Sequence, residues 1–135
     1  MRPGTKKKLP SISQLIKEAD RLHSIQVRSR VVNERGETAC YTCGKWSHWK
    51  KLHCGHFLSR YYKAARWDDD NCRPQCMMCN LWKRGDPITF RQNLIKEIGE
   101  KRVLAVEAKR HQSTKLTREF LEDVIVGLVR NICED

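Results

Sequence analysis

The segment that determines the fold spans residues 38–85 and reads TACYTCGKWSHWKKLHCGHFLSRYYKAARWDDDNCRPQCMMCNLWKRG. It contains six of the seven cysteines, all four tryptophans and three of the five histidines. Hydrophobic periodicity is poor along it, as expected where a bound metal ion rather than a continuous apolar core fixes the chain. We therefore predict a small metal-stabilised core over these residues.

Two Cys-x-x-Cys pairs, Cys40/Cys43 and Cys76/Cys79, lie near the two ends of this segment. Two residues between the thiols allow both sulfurs to reach one tetrahedral ion at about 2.3 Å. Four thiolates favour zinc, and an all-cysteine site leaves no coordination position open. The sequence thus predicts one structural zinc ion held by these four residues.

Disulfides and a redox Cys-x-x-Cys are the alternatives for these pairs. A redox motif does not explain two pairs, and reduced thiols are expected because the protein is predicted to be intracellular. We predict that Cys54 and Cys72 are small buried residues, with either as a substitute zinc ligand as the alternative, and that Cys133 packs in the last helix.

Residues 1–10 are predicted to be a disordered basic leader that includes Lys6, Lys7 and Lys8, and residues 11–135 to form a single domain. Helical additions are expected at 11–32 and 87–135, on either side of the metal core.

Apolar residues at helical spacing predict four further features. They are a helix from about Ser13 to Arg30 capped by Ser11 or Ser13, a helix from about Ile88 to Ile98 ending at Gly99, a segment Val103–Ala108 that suits either helix or strand, and a last helix from near Thr117. The last helix is expected to pack on the first, or else to serve a dimer. A shorter helix is expected around Met77 to Lys83.

The charge balance favours a polyanionic partner. The 27 Lys and Arg against 16 Asp and Glu give a formal net charge of +11, and lysines and arginines that meet phosphates release condensed counterions. The alternative is a basic soluble protein with no nucleic-acid role. No stretch approaches the roughly 20 apolar residues of a membrane span, and we expect no membrane association.

The residues between the cysteine pairs carry a resemblance to a known family. The run His53-Cys-Gly-His56-Phe-Leu-Ser-Arg60, followed by Asn71-Cys-Arg-Pro-Gln-Cys-Met-Met-Cys79-Asn80, resembles the HNH, or ββα-metal, nucleases. More closely, it is similar to the lambdoid phage NinG (Rap) recombination endonucleases. The similarity covers about half the chain, from roughly Thr38 to Gly99.

The resemblance implies a role for each matched residue. His56 would be the base that activates water, Asn71 would hold the loop and orient that base, and Asn80 would ligate the catalytic metal ion. Phosphodiester hydrolysis needs such a base, and a cation on the scissile phosphate. Many HNH enzymes place a metal ligand directly before the base, where this chain has Gly55. The missing ligand is expected to be His53, or one of three aspartates: Asp68, Asp69 or Asp70.

Basic and aromatic residues near this motif are candidates for contact with DNA. Five of them are predicted to bind phosphates: Arg60, Arg66, Arg73, Lys83 and Arg84. An ordinary solvated basic face is the alternative. The four tryptophans are expected either to stack on exposed bases or to pack around the zinc site, and packing is favoured for Trp67 and Trp82. Three histidines lie outside the motif and are predicted to be surface or packing residues: His23, His48 and His111.

Together these features predict an α+β fold, with a zinc-stapled, treble-clef-like ββα-metal core and flanking helices. The expected activity is hydrolysis of DNA phosphodiester bonds with Mg or Mn. The resemblance implies branched substrates such as Holliday junctions or D-loops, and a homodimer would suit symmetric cutting. The alternatives are a non-catalytic zinc-finger DNA-binding protein, or an HNH nuclease with a homing, packaging or restriction role.

Overall fold

The computed structural model describes Gly4 and residues 7–133. Of the predicted leader, residues 1–3, 5 and 6 lie outside the described residues, and Lys6 is among them. Residues 7–10 are exposed and belong to no helix or strand. Mixed α+β architecture is confirmed: four α-helices and two small sheets are present in the described part of the chain.

The first helix, α1, spans Ile12–Ser29 and begins with a capping box. The Ser11 hydroxyl accepts a hydrogen bond from the Gln14 backbone N–H, and the Gln14 side chain accepts one from the Ser11 N–H. Both bonds satisfy backbone donors that the first helical turn leaves without partners. One face of α1 is buried, and along it His23 lies among apolar residues.

Two antiparallel hairpins follow α1. In the first, β1 (Glu37–Ala39) pairs with β2 (Trp46–His48). In the second, β3 (His53–His56) pairs with β4 (Cys72–Gln75), so that His56 lies opposite Cys72. A π-helical turn, Met78–Trp82, comes almost directly after β4. The helix predicted around Met77 to Lys83 is therefore a single wide turn rather than an α-helix.

Three more helices complete the described chain: α2 (Pro87–Ile98), α3 (Glu100–Ala108) and α4 (Arg118–Cys133). The predicted end of α2 at Gly99 is confirmed, and Gly99 has the positive φ of 87° that favours glycine. The ambiguous segment Val103–Ala108 is helical, because Val103 and Val106 both turn toward the core at helical spacing. Among the described residues, no helix is both long and apolar enough to span a membrane.

The helices pack in two pairs around the hairpins. α1 packs on α4, as predicted, and it also contacts β3 and β4. α2 packs on α3, and Phe90, Leu94 and Val103 form a fully buried cluster between them. The second hairpin therefore lies against α1, and this packing brings residues of α1 next to β3.

Candidate functional site

The tetrathiol site consists of Cys40, Cys43, Cys76 and Cys79, and their sulfur atoms all lie within 4.8 Å of one another. The Cys43 and Cys76 sulfurs are 3.7 Å apart. Four sulfurs at about 2.3 Å from a tetrahedral zinc ion would be separated by about 3.8 Å. Geometry and donor chemistry together mean that this site could hold a zinc ion.

The surroundings of the tetrathiol site change the pKa values of its thiols in opposite directions. Burial opposes ionisation of Cys40, but hydrogen bonds from the backbone near Cys43 and Cys76 outweigh it and lower the thiol pKa to about 6. Burial, together with the neighbouring thiols, raises the pKa of Cys79 to about 12. A divalent cation would relieve this crowding of negative charge, because thiolates bind zinc directly.

Asn80 follows the last cysteine of this site, and its position is fixed by the turn that the cysteines begin. Its backbone N–H donates to the Cys76 carbonyl at 2.9 Å. The Asn80 side-chain amide lies 3.1 Å from Nδ1 of His53 on β3. Amide oxygen and nitrogen are interchangeable by a rotation of the side chain, so an amide oxygen and an imidazole nitrogen can converge here on one ion.

A groove runs beside this pair along β3. Its lining includes His53, His56, Arg60, Asn80 and Arg84, and no residue of β4. Arg84 has a φ of 53°, in the left-handed region that non-glycine residues rarely adopt, and both Arg60 and Arg84 are exposed. The structure thus brings three predicted site residues (His53, His56 and Asn80) and two predicted phosphate-binding arginines to one concave surface.

The imidazole of His56 is oriented by a backbone carbonyl. Its Nε2 lies 3.0 Å from the Arg66 carbonyl oxygen, and its Nδ1 lies 3.2 Å from the Cys54 carbonyl oxygen. A neutral imidazole donates from one nitrogen only, and we place the proton on Nε2, which makes the shorter contact. Nδ1 then carries the lone pair that a general base needs, and the ring has to turn away from the Cys54 carbonyl for that lone pair to meet a water.

Asn71 holds the loop that supplies this carbonyl. Its side chain is fully buried and accepts from the Leu58 N–H at 2.7 Å. Its amide group donates to the carbonyls of Leu58 and Ala65 at 3.0 Å each. Ala65 directly precedes Arg66 in the chain, so Asn71 positions the carbonyl that orients His56 and does not itself face the groove.

The three aspartates that were alternatives to His53 have other partners. Asp68 pairs with Lys109, Asp70 pairs with Arg102, and Asp69 lies near Arg30 and His23. None of them lines the groove. His53 is therefore the candidate second ligand that lies beside Asn80.

Two of the five predicted phosphate-binding residues are engaged inside the protein. Arg73 is 6% exposed and donates to Glu97 at 3.0 Å, and Arg66 donates to both carboxylate oxygens of Asp20. Because an acidic partner already binds each guanidinium in this structure, the predicted phosphate contact would require each of these arginines to leave that partner. Lys83, Arg60 and Arg84 are exposed, although Arg60 also lies 3.6 Å from a carboxylate oxygen of Asp20.

Packing was the wrong expectation for Trp82, which is 74% exposed on the π-helical turn. Trp67 does pack, near Phe120 of α4, and its indole N–H donates to Asp20 at 3.0 Å. Trp46 is exposed and Trp49 is half-buried beneath Arg28.

The sequence reasoning missed His23, which is neither a surface residue nor an ordinary packing residue. It is 1% exposed and forms a second cluster with Cys54, His56 and Cys72, whose ligand atoms all lie within 4.8 Å of one another. Burial acts to lower the pKa of His23, but Asp69 and the Cys54 thiolate outweigh it and raise the pKa to about 9. The available signal was the spacing of His23 four residues after Ala19, on the apolar stripe of α1.

Comparison with known proteins identifies the family. The family model described as "Bacteriophage Lambda NinG protein" matches residues 3–132. The chain belongs to the NinG family. Two curated NinG proteins, from Escherichia phage 933W and Enterobacteria phage VT2-Sa, are each 32% identical to it over 107 residues. That alignment covers 76% of this chain and 50% of each relative, so the chain spans about half the length of the curated NinG proteins it matches. No solved structure matches.

Membership of the NinG family confirms the resemblance that the motif between the cysteine pairs indicated. The matched region includes the tetrathiol site, the groove and all four α-helices through residue 132.

Proposed function

We propose that this NinG-family protein is a metal-dependent DNA endonuclease of the ββα-metal type that acts on branched recombination intermediates. One observation carries the proposal: His53 and the Asn80 amide meet at 3.1 Å in a groove that also contains His56 and two exposed arginines. The order of elements supports the proposal: the β3–β4 hairpin is followed by one helical turn, where a ββα-metal core has its helix, and the tetrathiol site lies at the start of that turn.

The chemistry assigned to the groove is hydrolysis. Nδ1 of His56 takes a proton from water. The Nε2–H group on the other side of the ring donates to the Arg66 carbonyl, and this hydrogen bond orients the imidazole. Arg60 and Arg84 position the DNA backbone by charge-assisted contacts with phosphates. An ion bound by His53 and Asn80 would hold the scissile phosphate and stabilise the charge that develops on it. One imidazole donor suits Mn better than Mg, which prefers oxygen ligands.

Substrate preference follows from what lines and borders the groove. Its arginines (Arg28, Arg60 and Arg84) suit phosphates, which position DNA but carry no sequence information. The one carboxylate in the lining, Asp20, is paired with Arg60 and Arg66. Trp82, exposed one residue after groove-lining Leu81, offers a flat surface on which an unpaired base can stack. Unpaired bases occur at branch points, so we propose recognition of DNA structure rather than of sequence.

Cleavage of labelled four-way junction, flap and linear duplex DNA with Mn or Mg tests the proposal. We expect His56→Ala to lower the cleavage rate by roughly 10²–10⁴-fold, the range for loss of a general base, while DNA binding persists. His53→Ala and Asn80→Ala should lose activity at low Mn and regain part of it at high Mn.

His111→Ala is the matched control, because His111 is an exposed histidine outside the groove. Each protein is first shown to hold at least the one zinc ion expected at the tetrathiol site, which none of these substitutions touches. If wild type that holds one zinc ion, with no zinc in excess, binds these DNAs but cuts none of them with either metal, the endonuclease proposal is wrong and a non-catalytic DNA-binding protein takes its place.

A further inference from the structure

The second cluster, His23, Cys54, His56 and Cys72, joins three elements that are distant in sequence. His23 comes from α1, Cys54 and His56 from β3, and Cys72 from β4. Two sulfurs and two imidazole nitrogens form a donor set typical of tetrahedral zinc. None of the four belongs to the tetrathiol site, and neither His53 nor Asn80 belongs to this cluster.

An unsatisfied buried atom points independently to a ligand here. The His23 side chain is 2% exposed, and its Nε2 makes no hydrogen bond with any residue that the structure describes. The nearest Asp69 oxygen is 3.4 Å away and lies outside hydrogen-bonding geometry. A buried polar atom without a hydrogen bond is costly, and a cation coordinated through Nε2 would supply the missing partner.

His56 belongs both to this cluster and to the proposed catalytic groove. An imidazole that coordinates a metal through one nitrogen carries its proton on the other. No lone pair is then left to accept a proton from water, whichever ring nitrogen binds the metal. A cation in the cluster and a general base at His56 therefore exclude each other.

We propose that the His23–Cys54–His56–Cys72 cluster is a second zinc site, and that zinc bound there inhibits the endonuclease by withdrawing His56 from catalysis. The inhibitory consequence rests on the proposed function, whereas the existence of the site does not. Soft thiolates select zinc over Mg and Mn. The Mg or Mn ion that supports cleavage therefore does not bind the cluster, whereas zinc does.

Counting zinc in the full chain by native mass spectrometry and elemental analysis tests the site without any activity assay. With zinc in slight excess, the wild type should hold two zinc ions, and Cys72→Ser and Cys54→Ser should each hold one. Cys133→Ser is the matched control: this cysteine is exposed on α4, and its replacement should leave two. Circular dichroism checks that each variant is folded. One zinc ion in the wild type, or two in both cluster variants, would overturn the site.

Zinc titration of Mn-supported cleavage tests the inhibition. Wild type should be inhibited, and Cys72→Ser should need at least tenfold more zinc for half inhibition. Zinc that instead displaced Mn from His53 and Asn80 would inhibit both proteins equally, which would overturn the regulatory role while leaving the zinc count standing. If no protein cleaves DNA even when zinc is limiting, the proposed function fails, the inhibition fails with it, and the zinc count still decides the site.

Discussion

Gly55 directly precedes His56, where many HNH enzymes carry a metal ligand, and the structure explains why a glycine is there. A Cβ atom at this position would lie 2.1 Å from Oε1 of Gln75. Gln75 is fully buried and donates to the Gly85 carbonyl at 2.9 Å and to the Thr42 hydroxyl at 3.1 Å. Because this side chain occupies the space beside β3, the catalytic ion of the proposed function would need a ligand from another residue, and His53 is the candidate that lies beside Asn80.

Gly55→Ala should therefore destabilise the protein by about 1–3 kcal/mol, the usual cost of forcing an extra methyl group into a packed site. Urea denaturation followed by circular dichroism measures the change. Gly127→Ala is the control, because a Cβ there meets no atom within 4 Å and Gly127 lies in α4. It should be neutral or stabilising by up to about 1 kcal/mol. Equal stability of Gly55→Ala and wild type would mean that Gln75 does not hold the position assigned to it.

At the scale of elements, Asp20 links α1 to the segment that carries the Arg66 carbonyl. Its carboxylate accepts hydrogen bonds from the Arg66 guanidinium and from the Trp67 indole N–H. Burial acts to raise the pKa of Asp20, but these bonds outweigh it, and the pKa is lowered from 3.8. The interaction therefore contributes stability above the unfolded pKa, and the contribution is lost as the pH falls through the folded pKa.

Asp20→Asn should lower the free energy of unfolding by about 1.5–3 kcal/mol at pH 7, the range for hydrogen bonds to a charged group. The difference between wild type and variant should stay constant from neutral pH down to about 5 and shrink once the pH falls below 3.8. Denaturation curves at a series of pH values measure it. Glu18→Gln, on the same helix, removes an exposed ion pair with Arg21 and should change little. A pH-independent difference would show that the Asp20 charge is not what stabilises this contact.

Local sequence signals determined most of the elements. α1 and α2 were predictable because periodicity, a serine cap and a terminal glycine agree with one another. The strands are only three or four residues long, and the turn at Met78–Trp82 is set by Cys76 and Cys79 rather than by apolar spacing. Such short elements depend on tertiary contacts and leave little periodic signal.

In the candidate site, too, some residues could be predicted from local sequence and others depend on tertiary contacts. His53, His56, Asn80 and the tetrathiol site lie in one continuous stretch, so motif spacing was enough to single them out. His23 lies 31 residues before Cys54 in the sequence, and only the packing of α1 against β3 brings it to the second cluster. Arg66 and Arg73 appeared free because their partners, Asp20 and Glu97, are distant in sequence.

For the whole molecule, the net charge of +11 does not say which basic residues would contact DNA in the proposed function, but the structure separates exposed arginines from buried ones. Arg60 and Arg84 are exposed at the groove. Arg73 is buried and donates to Glu97 and to the carbonyls of Asp69 and Cys72. A guanidinium that is hydrogen-bonded inside the protein would release no counterions on DNA binding. The net charge therefore overestimates the number of basic residues that would contact phosphates.

The salt dependence of DNA binding distinguishes the exposed arginines, Arg60 and Arg84, from the buried Arg73. Arg60→Ala and Arg84→Ala should each reduce the slope of log K against log salt by about 1, because each removes one phosphate contact. Arg73→Gln removes the same charge but should leave the slope unchanged and instead lower the free energy of unfolding. Fluorescence anisotropy with a labelled four-way junction, at several salt concentrations and at a temperature where all variants are folded, measures the slopes. A reduced slope for Arg73→Gln, with unchanged slopes for Arg60→Ala and Arg84→Ala, would place the DNA on the face that carries Glu97 rather than in the groove.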